Sequence, residues 1–123
     1  MGSRILVIED NPTNLELMTY LLKAFGHTTL VATDGAEGVD IALRAEPDLI
    51  LCDLALPRLS GLEVARVLKA DAALRSVPLI AVTASAMAGD RDRVIASGFD
   101  GYITKPITPE TFVSEVEAYL RHD

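Results

Sequence analysis

The sequence predicts an α/β protein: a three-layer, doubly wound (βα)5 arrangement with a parallel sheet between two layers of helices. Three observations carry this reading. Short apolar runs with β-branched residues alternate with stretches of helical period, five of each. The connections between them are short, and strand–helix–strand units of that kind build parallel sheets. The apolar runs are continuous rather than alternating, as expected of strands covered on both faces.

The elements follow in order. The first strand is "ILVI" at 5–8. Asn11 then offers a helix N-cap with Pro12 at the first helical position, and Leu15, Met18, Leu21, Leu22 and Phe25 form an apolar stripe that Gly26 stops. "TTLVA" at 28–32 is the second strand. Asp34 and Glu37 stand at capping-box-like spacing before a helix from Gly35 to Ala45, with Pro47 beyond its end. "DLILCD" at 48–53 is the third strand, and Ser60-x-x-Glu63 is a capping box for a helix over 62–71. "PLIAVT" at 78–83 is the fourth strand. The helix predicted over 88–97 is the weakest, with only Val94, Ile95 and a few alanines to bury. Gly98 and Gly101 read as turn residues around the last strand, "GYIT" at 101–104. Thr108-Pro109 opens the last helix, whose stripe is Phe112, Val113, Val116, Tyr119 and Leu120.

Composition narrows the function. With 123 residues, half of them hydrophobic and 24% charged, a single domain spanning 1–123 can build its own core. The net charge of −7 disfavours direct nucleic-acid binding, which needs a basic patch. The single cysteine, Cys52, allows neither an internal disulfide nor a cysteine zinc cluster, and it reads as a buried core thiol in a reducing compartment. Neither a signal peptide nor a membrane span is legible, so a cytoplasmic location is expected. His27 and His122 are far apart in sequence and suggest no catalytic base.

In an open parallel α/β sheet, ligands bind outside the carboxyl ends of the strands. Those ends carry Glu9-Asp10, Asp53, Thr83 and Lys105-Pro106. A carboxylate beside the apolar run "LILC" is costly unless something pairs with it. Converging carboxylates repel, and a hard divalent cation with oxygen ligands, Mg²⁺ above all, offsets that repulsion. Lys105 and Thr83 could then bind phosphate oxygens, and one of the carboxylates could act as a nucleophile forming an acyl phosphate.

Taken in order, these residues resemble the receiver domains of two-component response regulators. The acidic pair Glu9-Asp10, Asp53 followed by "LALPRLSG" with Pro57 and Gly61, Thr83-Ala84 and Lys105-Pro106 carry the resemblance across essentially the whole chain. It implies a flavodoxin-like receiver fold with strand order 2-1-3-4-5. It also implies that Asp53 is the phosphoacceptor, that Glu9, Asp10, Asp53 and the Ala55 backbone carbonyl hold Mg²⁺, and that Thr83 and Lys105 engage the phosphoryl group. Tyr102 matches the family's switch aromatic, paired with Thr83. A cis Lys105-Pro106 bond is expected, turning the lysine amine toward the acids. "VIEDN", "TASAM" and "YITKPI" are similar to single-domain receivers of the DivK kind, and the same phrases occur in receivers attached to hybrid histidine kinases. Ala55 and Ser85 occupy the family's variable positions that tune phosphoaspartate hydrolysis.

The resemblance implies a phosphoryl-accepting signalling module of a phosphorelay rather than a turnover enzyme. Its partners would be a histidine kinase or histidine phosphotransferase upstream and a protein target downstream, reading the face of the fourth helix, fifth strand and fifth helix around Ala88, Arg91, Tyr102 and 106–108. Two alternatives are a receiver that binds partners without phosphorylation and a small Mg²⁺-dependent hydrolase with Asp53 as nucleophile. The first is disfavoured by the complete set of site residues, the second by the lack of an insertion long enough to cap a substrate.

Overall fold

Five parallel strands form one sheet in the order β2-β1-β3-β4-β5. They are β1 (Arg4–Ile8), β2 (Thr28–Ala32), β3 (Leu49–Asp53), β4 (Leu79–Thr83) and β5 (Gly101–Thr104). The helices between them are α1 (Pro12–Ala24), α2 (Gly35–Ala45), α3 (Gly61–Ala70), α4 (Ala88–Ala96) and α5 (Pro109–Leu120). The computed structural model describes residues 2–84 and 88–120. Ser85 and His122 lie outside the described residues, as does the side chain of Ala88.

Strand alternation divides the core into two layers. Leu6, Ile8, Ile50, Cys52, Leu79 and Ala81 point to the side closed by α2, α3 and α4, where they meet Ala42, Val64, Ala65, Leu68 and Val94. Ile5, Val7, Leu49, Leu51, Ile80, Val82 and Ile103 point to the other side and pack with Met18 and Leu22 of α1 and Phe112, Val113 and Val116 of α5. The central strands β1, β3 and β4 are therefore covered on both faces, apart from Arg4 at the start of β1. β2 is an edge strand and keeps Thr28 and Val31 exposed.

Local chemistry sets the helix starts. The Asn11 side chain accepts from the Asn14 amide, so Asn11 caps α1 ahead of Pro12. Ser60 and Glu63 form a complete capping box on α3. At α2 the Glu37 amide donates to Asp34, but the Glu37 side chain reaches back to the Thr33 amide instead of the Asp34 amide. The expected box is thus half formed and shifted by one residue.

Three expectations about individual residues fail. Phe25 is not part of the α1 stripe; it is the C-cap residue and lies exposed. Ile95 is 48% exposed, which leaves Val94 as the buried apolar residue of α4 among the described side chains. Gly101 is not a turn residue but the first residue of β5, where an added Cβ would stand 2.3 Å from the Tyr119 hydroxyl oxygen. Glycine there leaves room for the Tyr119 ring of α5 in its observed position. Among the described residues, no helix is long and apolar enough to cross a membrane.

Candidate functional site

The register brings the acids together. Ile8 pairs with Cys52, so Glu9 and Asp53, the next residue of each chain segment, stand at the same level on adjacent segments. Asp53 in turn pairs with Val82, which puts Thr83 one residue further along β4, and Thr83 pairs with Thr104 just before Lys105. The Lys105 amide donates to the Thr83 carbonyl at 2.8 Å, extending the β4–β5 ladder by one bond. The Lys105–Pro106 peptide is cis.

The β3–α3 loop closes back over the strand end. The Gly61 amide donates to the Leu54 carbonyl at 3.0 Å. A Cβ at Gly61 would lie 2.5 Å from the Asp53 carbonyl oxygen and 2.6 Å from the Leu54 Cα, both backbone atoms. Glycine is therefore required there for the start of α3 to sit against the Asp53 backbone.

The side chains converge at this end of the sheet. One ligating oxygen from each of Glu9, Asp10 and Asp53 lies within 4.8 Å of the others. Glu9 has no exposed surface and Asp53 is only 6% exposed, whereas Asp10 is open to solvent. Lys105 Nζ donates to Asp53 Oδ2 at 3.0 Å and stands 3.1 Å from Glu9 Oε1. Asp53 Oδ1 accepts from the Ala55 amide at 3.1 Å, and Glu9 Oε2 accepts from the Asn11 amide at 3.1 Å. Both oxygens of Asp53 are thus oriented. Glu9 Oε1 is buried without a hydrogen bond of acceptable geometry; its contact with Lys105 is charge proximity only.

The electrostatics follow from burial. Burial raises the Glu9 carboxyl above its ordinary value; the Asp53 charge adds to that, while the Asn11 amide and Lys105 oppose it. For Lys105, partial burial disfavours the ammonium, but the Asp53 hydrogen bond and the nearby Asp53 and Glu9 carboxylates outweigh it and raise the amine. Cys52, buried and next to Asp53, has its thiol pushed up strongly by burial and then by the Asp53 and Glu9 charges. Its Sγ donates to the Asp53 carbonyl. It is a neutral core thiol rather than a nucleophile.

Three carboxyl groups gather around one ammonium in this cluster. The orphaned Glu9 Oε1, the oxygen-only donor set and the short spacing suit a hard divalent cation. Thr83 is 6% exposed at the end of β4, Ala55 is exposed in the loop after Asp53, and Tyr102 is half-buried on β5. The Arg91 guanidinium lies 5.2 Å from the centroid of the Tyr102 ring, a contact that no sequence pattern announces. The Asn11 amide on Glu9 is equally silent in the sequence, because any residue but proline supplies a backbone N–H.

The chain matches the response regulator receiver domain family over residues 5–117. It is 43% identical to the polar-differentiation response regulator DivK of Brucella ovis, over 98% of each chain. Among solved structures, it resembles the receiver domain of a sensor histidine kinase from Pseudomonas aeruginosa, with a TM-score of 0.91 and 33% identity over 99% of this chain and all of the other. That structure holds a magnesium ion in its active-site cleft. The receiver domain of a signal transduction histidine kinase from Syntrophus aciditrophicus is similar too, with a TM-score of 0.88 and 32% identity over 99% of this chain and 96% of the other.

Proposed function

Since the chain belongs to the response regulator receiver domain family, we propose that Asp53 is its phosphoacceptor and that it works as the receiving module of a cytoplasmic phosphorelay. The observation that carries this reading is the pair of bonds on Asp53. Lys105 on one oxygen and the Ala55 amide on the other fix a buried carboxylate at the mouth of the crevice. A fixed nucleophile needs little reorganisation before attack.

An Asp53 carboxylate oxygen attacks phosphorus, and the bond from phosphorus to the donor breaks, with the electron pair leaving on the donor group. The donor is the phosphohistidine of a histidine kinase or histidine phosphotransferase. Lys105 and the Thr83 hydroxyl then bind oxygens of the new phosphoryl group as cation and donor. Glu9, Asp10, Asp53 and the Ala55 carbonyl would hold Mg²⁺, which when bound offsets the negative charge that the phosphoryl group brings. Glu9 Oε1, buried with only the Lys105 ammonium beside it at 3.1 Å, is available to a cation or its water shell. The chain assists its own phosphorylation and slow dephosphorylation and turns over no other substrate.

The output lies on the other side of Thr83. Phosphorylation adds about two negative charges and strong acceptors at the strand ends. Thr83 moves toward them, and Tyr102 turns into the space it leaves. This alters the face of α4, β5 and α5, which a downstream protein reads around Arg91, Tyr102 and residues 106–108.

Incubation with Mg²⁺ and a small phosphodonor tests the reading. One phosphoryl group per chain, dependent on Mg²⁺ and absent in Asp53→Asn, is expected. Many cycles of phosphate release with no stable label would point to a hydrolase instead.

A further inference from the structure

Tyr102 sits between the buried residues Gly101 and Ile103, with its ring half-buried against the core layer under α4. Over the ring lies Arg91, from the exposed side of α4. At 5.2 Å from the centroid, the guanidinium is within reach of the ring quadrupole. Among the described residues, no carboxylate forms an ion pair with Arg91. Among the described side chains of α4, Val94 is buried and Ile95 points to solvent.

Resting on the reading given above, we propose that Arg91 is a positioning residue that clasps Tyr102, holding the ring under α4 and biasing the receiver toward its resting state. Before Tyr102 can turn inward, it must leave the guanidinium. The same contact fastens α4 to β5. The clasp therefore opposes phosphorylation by the strength of one partly exposed cation–π contact, roughly a two- to fivefold bias in the switch equilibrium. Lysine at this position would keep the charge but not the planar group that stacks on a ring, and would restore part of the effect.

The test uses the full chain in two measurements. First, without Mg²⁺ or phosphodonor, amide exchange in α4 is compared for wild type, Arg91→Ala, Arg91→Lys and each in a Tyr102→Leu background. Exchange is expected to rise about two- to fivefold in Arg91→Ala, less in Arg91→Lys, and not at all when Tyr102 is already absent. Second, the affinity for beryllofluoride with Mg²⁺, a phosphoryl mimic, should rise by a similar factor in Arg91→Ala and not in the Tyr102→Leu background. Unchanged α4 exchange, or an equal effect with and without Tyr102, overturns the clasp. Unchanged mimic affinity in Arg91→Ala, when wild type binds it, overturns the bias yet leaves the receiver reading standing. If wild type does not bind the mimic, the receiver reading fails and the clasp's role in it fails too.

Discussion

At the buried end of β3, Lys105 donates to one Asp53 oxygen and the Ala55 amide to the other. Glu9 is less well served, and the cost shows in its raised carboxyl. An acid whose folded value lies above its ordinary 4.5 binds more protons folded than unfolded in the window just above 4.5. Metal-free stability should therefore fall as pH rises through that window, and Glu9→Gln should remove this part of the fall and raise Tm near neutrality. Thermal melts in chelator from pH 4 upward check it. Lys105 works in the same direction at the alkaline end: its contribution is complete below 10.5 and is lost as pH passes through its raised value. Asp10 is exposed, so its replacement acts mainly on the cation; Asp10→Asn should weaken Mg²⁺ binding strongly in a titration, and Glu9→Gln less if Glu9 reaches the ion through water. The site residues were legible because their chemistry is unusual next to apolar strands. What sequence could not supply was the bond made by the Asn11 amide and the ring contact of Arg91, since neither depends on a recognisable residue pattern.

At the scale of elements, the loops that deliver these residues are held by contacts remote from the acids. Lys69 on α3 donates to the Arg75 and Val77 carbonyls and to Asp100, whose carboxylate also accepts from the Leu79 amide at the start of β4. This one ammonium joins the end of α3, the α3–β4 connection and the residue before β5. Lys69→Met should cost about 2 kcal/mol in denaturant unfolding, since it strips a charged donor from three acceptors. Gly61→Ala should cost roughly 1–3 kcal/mol and slow labelling of Asp53, because its Cβ would press on the Asp53 and Leu54 backbone. A normal labelling rate in that variant would show that α3 does not position the acceptor. Strand and helix positions were readable from apolar runs and caps, and the bounds differ by no more than one residue at each strand end. Burial at the ends of helices was less readable. Phe25 and Ile95 fit an apolar stripe by spacing, yet the helix axis and the neighbouring element leave them facing solvent.

For the molecule as a whole, the helices differ in how many described side chains they bury. The α1–α5 side is anchored by fully buried Phe112, Met18 and Leu22, and Phe112→Ala should cost about 3–5 kcal/mol. The opposite side is anchored by Val64, Ala65 and Leu68 of α3, while α4 has a single described buried residue, so α4 is expected to be the easier element to shift. A signal generated at the strand ends should travel there. Backbone NMR shifts with beryllofluoride should change along α4 and at Tyr102 as well as in the crevice, and Thr83→Ala should still take a phosphoryl group while these remote changes shrink. The atom that takes the phosphoryl group decides how this molecule works. Labelling with a small phosphodonor and Mg²⁺, followed by borohydride reduction of the acyl phosphate and peptide mass spectrometry, locates it. The expected result is one reduced residue, at position 53. A reduced residue elsewhere, or undiminished labelling of Asp53→Asn, would contradict it.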